Sequence, residues 1–427
     1  MLALITACGC SNASVEELLS PPRLDGEQTE IYDALRASTN SDIILKYPRS
    51  GQYRSAFVVA DLDAEPTDEA IVFYEIPNVS DGSSLRMNFL DKQDGRWISV
   101  YDFAASGSEV ESVRFEDLGG GSLSIIVNYL VGNSSDRYTS IMTYKDGEPE
   151  ELANIRNIYM DIFDADDNGT NDLFTITNDR AAGNSVAGLY CISNGALEQL
   201  IRIRLNNGYA GIKDVTCGNC DDKGNRAIFT DYAFSDGTFG TDAIIYAGGY
   251  YYLSPALGSM NIYRCSNTFT PYVPCSDIDD DGIIEIPVSV PFANFTDYPD
   301  SEQVNATIWY SLERSGTYKE EKYRSFVGTK NDYILFFPEK WGSLIAADVS
   351  ISESTVCFYS YDESAKIPGE PLLALYGAAE GNTDKYETDS YISLGTSGVT
   401  GYSYYAERLS DKYSPGEDEL RELFRLQ

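Results

Sequence analysis

The sequence predicts a mainly β protein, a β-propeller of five four-stranded blades followed by a small C-terminal α+β domain. Three observations predict it. An acidic loop recurs, starting near residues 61, 117, 164, 219 and 277, and a repeat of roughly 40–50 residues filled with strand-like sequence is the mark of propeller blades. The best-preserved copies each stand just before an apolar run of strand length. Between the copies the apolar period is two and turn residues come often, which is the pattern of half-buried strands.

The clearest loop is Asp277-Ile278-Asp279-Asp280-Asp281-Gly282-Ile283-Ile284-Glu285, with carboxylates at positions one, three, five and nine and glycine at six. So many hard oxygens around one point repel one another unless a hard cation joins them, and calcium is the cation that takes such a set. Asp164-Ala165-Asp166-Asp167-Asn168-Gly169-Thr170-Asn171-Asp172 keeps the same spacing. Asp61-Leu62-Asp63-Ala64-Glu65-Pro66-Thr67-Asp68-Glu69 keeps the carboxylates but has Pro66 at position six, where positive φ is closed to it. Two copies are worn. The loop at Asp117 has lost a residue and all but one carboxylate, and the loop at Asn219 has Lys223 at position five, where a tethered ammonium could replace an ion's charge.

These loops resemble the nine-residue, EF-hand-like loops of the FG-GAP (VCBS-repeat, integrin α-like) β-propellers, which lie between strands and not between helices. The resemblance covers about Ala56 to Phe326. It implies two to three structural Ca²⁺ ions that fix the turn between the first two strands of a blade and take no part in catalysis. The implied ligands are Asp277, Asp279, Asp281 and Glu285 with the carbonyl of Ile283, and Asp164, Asp166, Asn168 and Asp172 with the carbonyl of Thr170. In the altered loop they are Asp61, Asp63, Glu65 and Glu69.

Taken in order, the chain opens with Ile5-Thr6-Ala7-Cys8, which matches a lipobox, so Cys8 is the expected lipidation site. Only seven residues precede it, against about 15–30 in a signal peptide, so a late start codon or a trimmed leader is expected; an ordinary N-terminus is the alternative. Residues 1–22 are read as lipobox and tether. In 23–40, Asp25 caps a short helix with Gln28 as its capping-box partner, and Ile31, Ala34 and Leu35 form the apolar stripe. Residues 41–327 hold the blades, the first with strands at Ala56–Ala60, Ala70–Tyr74, Leu85–Phe89 and Trp97–Tyr101. A further strand near Ile44 closes or extends the ring. Residues 328–427 form the α+β domain, with strands near 333, 344, 355, 371 and 401 and a last helix from Ser414-Pro415-Gly416-Glu417 whose Leu420, Leu423, Phe424 and Leu426 face inward. This unit is similar to the domain that accompanies such repeats in secreted lipoproteins of Gram-positive bacteria.

Composition narrows the function. The net charge of −36 repels nucleic acid and anionic lipid. With no histidine in the chain, Ser-His-Asp and Cys-His catalysis and histidine-based zinc peptidase sites are excluded. No phosphate-binding or dinucleotide-binding glycine motif is present, and no stretch reaches the ~18 apolar residues of a membrane helix. Cys217-Gly218-Asn219-Cys220 has the spacing of a redox or zinc motif, but lies in a β repeat without a second pair. The six cysteines from Cys191 onward allow fifteen pairings or free thiols.

The expectation is a monomeric, exported lipoprotein on the outer face of the cell membrane that binds an extracellular glycan or protein and has no catalysis. Two alternatives are a carboxylate-based glycoside hydrolase on the propeller, and a structural or sensory envelope component.

Overall fold

The structure is a computed structural model that describes residues 24–39, 41–79, 84–145, 147–179, 183–205, 210–235, 237–254, 266–312 and 318–427. Cys8 and Cys265 lie outside the described residues, as does the expected tether. The chain is mainly β, with two α-helices and six sheets of four or five strands among the described residues. It divides into two compact units, one running to Asp117 and including Gly121–Arg156, the other made of Leu118–Gly120 and Asn157–Gln427.

The first unit begins with helix α1 (Gly26–Ser38), capped as the sequence predicts: the Gln28 amide donates to Asp25 Oδ1 at 2.7 Å. Its Ile31 and Leu35 are fully buried against Phe57, Val72, Leu90 and Trp97. The first sheet holds β1 (Ile44–Leu45), β2 (Phe57–Ala60), β3 (Glu69–Glu75), β4 (Leu85–Gln93) and β5 (Arg96–Ala104). Strands β1 and β2 both pair with β3, at opposite ends. The expected strand near Ile44 therefore extends this first sheet. The second sheet is the meander β6 (Glu109–Glu116), β7 (Ser124–Leu130), β8 (Arg137–Lys145) and β9 (Glu148–Asn157). Alternate residues such as Ile71, Phe73, Phe89, Ile125 and Val127 build a core shared by the two sheets.

The second unit repeats the meander in β10 (Tyr159–Phe163), β11 (Asp172–Asp179), β12 (Asn184–Ser193) and β13 (Ala196–Arg204), and again in β14 (Gly211–Asn219), β15 (Arg226–Ala233), β16 (Phe239–Ala247) and β17 (Tyr250–Leu253). The fifth sheet contains β18 (Ile286–Pro291), β19 (Asn305–Leu312), β20 (Tyr318–Val327) and β21 (Tyr333–Phe336). Its fourth strand thus comes from beyond the boundary expected at 327/328. Ser325 pairs with Phe336, and Phe326 with Leu335.

The sixth sheet has β22 (Ile345–Ser350), β23 (Thr355–Asp362), β24 (Ile367–Ala378), β25 (Ile392–Thr396) and β26 (Ser403–Arg408), in the order β22-β23-β24-β26-β25. Helix α2 (Glu417–Leu423) follows, then β27 (Phe424–Leu426), which returns to pair with β21. Here the expectation is corrected. The final helix ends at Leu423, its N-cap is Gly416, whose amide donates to Glu419 at 3.1 Å, and Phe424 and Leu426 lie on a strand. The unpaired edge of β21 offers ladder hydrogen bonds that another helical turn would not use. Phe292, Phe326, Tyr333, Leu335, Trp341, Phe358, Tyr404, Leu420 and Phe424 form one core, so the fifth and sixth sheets share an interior.

Cys191, Cys217, Cys220 and Cys357 are free thiols. Gly218, inside the Cys-x-x-Cys spacing, has a packing reason: a Cβ there would lie 2.8 Å from Cγ1 of Ile284. The Ile284 amide donates to the Asn219 carbonyl at 2.8 Å, so β14 leads directly against the loop that precedes β18.

Candidate metal centres

Three acidic triads stand out among the described residues: Asp61, Asp63 and Glu69; Asp164, Asp166 and Asp172; Asp277, Asp279 and Glu285. In each triad one carboxylate oxygen per residue lies within 4.8 Å of the others. They are positions one, three and nine of the three loops read from the sequence.

Each loop is built around position nine. Glu69, Asp172 and Glu285 are buried, and each accepts a hydrogen bond from the amide of its position-two residue: Leu62 at 2.7 Å, Ala165 at 3.2 Å and Ile278 at 3.0 Å. Those position-two side chains are buried too, which ties the loop to the core beneath it. Position four turns the chain: Ala64, Asp167 and Asp280 have φ of 63°, 62° and 62°. Glycine supplies a second left-handed residue at position six in the later two loops, Gly169 with φ 84° and Gly282 with φ 85°. There the position-one carboxylate is clasped by amides, Asp164 by Asn168 and Gly169, Asp277 by Asp281 and Gly282, at 2.7–3.1 Å. Pro66 has no N–H to give, and Asp61 accepts instead from Ala64 at 2.7 Å.

Position five also braces the turn. Asn168 Oδ1 accepts from the Thr170 amide at 2.8 Å and Asp281 Oδ1 from the Ile283 amide at 2.9 Å. These residues brace the turn, while Glu65 is exposed outside its triad.

The electrostatics fit a cation. Burial, opposed in part by the Leu62 amide, pushes the Glu69 carboxyl up to about 7, and burial raises Asp172 to about 6 with Asp166 and Asp164 adding repulsion. Crowded, desolvated carboxylates resist ionisation unless positive charge is supplied. Asp166 Oδ1 and Asp279 Oδ1 are buried without a hydrogen-bond partner. In the second triad, which has no basic partner among the described residues, an orphaned oxygen on Asp166 leaves room for a cation, and hard oxygens on a flexible loop suit Ca²⁺.

The third triad differs in having basic and phenolic company. Lys322 Nζ lies 3.1 Å from Asp279, 2.6 Å from Asp281 and 2.8 Å from Glu285. Tyr323 donates to Asp279 at 2.9 Å, and Arg425 donates to the Ile278 carbonyl at 2.6 Å. Burial pushes Asp279 up, but the bonds from Tyr323 and Lys322 outweigh it and hold the carboxyl below its ordinary range. These three residues were not legible beforehand: Lys322 follows Glu285 by 37 residues, and only the pairing of β20 brings it near.

The worn copies are closed by their own atoms. Asp117 accepts from the Gly121 amide at 3.1 Å. Buried Asp221 accepts from the Lys223 and Asn225 amides at 3.0 and 3.1 Å and from Asn225 Nδ2 at 2.6 Å. The Lys223 side chain is exposed and does not close its loop.

No protein-family description and no curated protein sequence matches the chain. Solved structures do match. The rhamnogalacturonan lyase YesW is 10% identical with a TM-score of 0.32, over 87% of this chain and 62% of the lyase. The α-L-arabinofuranosidase Arb93A of Fusarium graminearum is 10% identical with a TM-score of 0.27, over 86% and 98% of the two chains. An exo-β-1,3-galactanase of Phanerochaete chrysosporium is 9% identical with a TM-score of 0.25, over 82% of each. The chain spans about three fifths of the lyase's length. One expectation is corrected here: the chain was read as having no catalysis, whereas lyases, an arabinofuranosidase and a galactanase are among the structures it is similar to, and the non-enzymatic reading is not kept.

Proposed function

We propose that this chain is a cation-organised β-propeller of the FG-GAP kind, exported and anchored through Cys8, that engages an extracellular glycan or protein. The observation that carries the reading is the threefold recurrence of one loop geometry, with positions one, three and nine converging and position nine bonded to the position-two amide. Asp61, Asp63 and Glu69 would hold one calcium ion, and Asp164, Asp166 and Asp172 another. Bound there, the ion supplies the positive charge that desolvated carboxylates lack, and so fixes the start of β3 and of β11. Among the described residues no lysine or arginine pairs with the carboxylates of these two triads; Arg226 reaches the Asp164 carbonyl at 2.9 Å and the Asp167 side chain at 3.6 Å.

Thermal unfolding in EDTA and then in millimolar Ca²⁺ tests this. The melting temperature is expected to rise with calcium and to follow ligand linkage. An unchanged melting temperature would remove the reading.

A second reading, carboxylate-based glycoside hydrolysis, is favoured by a cleft of about 850 Å³ in the second unit, lined by Glu321, Glu339, Glu419 and Glu422 among others. Glu321 and Glu419 are ion-paired with Arg324 and Lys340. Among the described residues Glu339 and Glu422 have no ion-pair partner, and a hydrolase needs an acid and a base or nucleophile. Release of reducing ends from a panel of polysaccharides, lost in both Glu339→Gln and Glu422→Gln, is the expected result; no release, or release that survives both changes, sinks it.

A further inference from the structure

Glu285 has no exposure at all, and its neighbours Asp277, Asp279 and Asp281 are also acidic. A buried carboxylate of this kind needs a positive partner or it will not stay ionised. In the first two triads the described residues supply none. In the third, the partner is part of the chain.

We propose that the Lys322 ammonium is the built-in cation of the third loop, so that only the triads at 61–69 and 164–172 take a divalent ion. This rests on the reading of those two triads as calcium sites. Lys322 reaches Asp279, Asp281 and Glu285 at 2.6–3.1 Å, and two of these, Asp279 and Glu285, belong to the converging triad. Two cations cannot share those oxygens, because charges of like sign a few ångströms apart repel strongly in a partly desolvated site. A calcium ion would first have to expel the ammonium. The side chain cannot leave without cost: it rises from β20, whose neighbour Tyr323 is bonded to Asp279, while Arg425 of β27 holds the Ile278 carbonyl and lies 3.6 Å from Asp280. Three consecutive contacts thus lock the third loop to β20 and β27 without metal.

The arrangement also divides labour between repeats. The first two loops gain their positive charge from a bound ion and so tie strand stability to calcium. The third, next to the interior shared by the fifth and sixth sheets, is permanently closed.

Ion content of the full chain, by atomic emission after equilibration with calcium and removal of free ion, reads the proposal directly. About two ions are expected in the unmodified protein and one more in Lys322→Met, which keeps the stem and removes the charge. Three in the unmodified protein, or no gain in the variant, overturns the proposal. Acetylation of Lys322, followed by mass spectrometry on the unmodified protein, decides the matter if the variant does not fold. Labelling is expected to be equally slow in EDTA and in calcium; calcium-dependent labelling, or fast labelling in both, overturns it. If the first two triads are not calcium sites, the unmodified protein binds none and the variant one, which separates that failure from a failure of the Lys322 assignment. No ion in either protein overturns both.

Discussion

At the scale of single residues, Glu69 sets the behaviour of the metal-free protein. Its carboxyl lies near 7 in the fold against an ordinary value of 4.5, first because it is buried. Between those values the folded chain holds a proton that the unfolded chain has released, so stability falls as pH rises through the window. In EDTA the melting temperature is therefore expected to be higher at pH 5 than at pH 7.5, and Glu69→Gln is expected to flatten the difference. In calcium the ionised form is favoured, and the fall is expected to vanish or reverse. A metal-free protein that melts higher at pH 7.5 would contradict the burial of Glu69. Positions one, three and nine could be named from the sequence because carboxylate spacing shows them. The left-handed turn at position four could not, because Ala64, Asp167 and Asp280 have no residue type in common that announces it.

At the scale of elements, the last strand is the one whose identity changes the fold. β27 looks like the end of a helix in sequence, since Leu420, Leu423 and Phe424 keep a helical spacing. The open edge of β21 decides otherwise, pairing Leu335 with Phe424 and Tyr333 with Leu426. Phe424 is buried and stacks on Tyr333 with centroids 5.1 Å apart. Phe424→Ala is expected to cost about 3–5 kcal/mol, the range for a buried phenylalanine, measured by urea unfolding. A cost below about 1 kcal/mol would mean the strand is an ornament of the edge. The meanders β2–β5 and β6–β9 were legible because each is a local run of alternating residues joined by short turns. The strand near 333 was legible too, but its pairing with β27 was not, because the two lie far apart along the chain.

At the scale of the whole molecule, repeat spacing told the mainly β class, and topology told where the sheets meet. The expected boundary after Val327 falls inside the fifth sheet because β20 needs a partner for Ser325, Phe326 and Val327, and Tyr333–Phe336 is the next apolar strand available. A domain junction can be read from a change of repeat only when hydrogen bonding changes at the same point. The free thiols carry a different consequence. Burial pushes Cys217 up to about 11 and Cys220 up to about 12, so the thiolate that would start disulfide exchange is scarce at neutral pH. The melting temperature is expected to be the same with and without dithiothreitol, and a fall on reduction would show a bridge that matters. If calcium closes the first two triads as proposed, the agent that loosens those loops is a chelator, not a reductant.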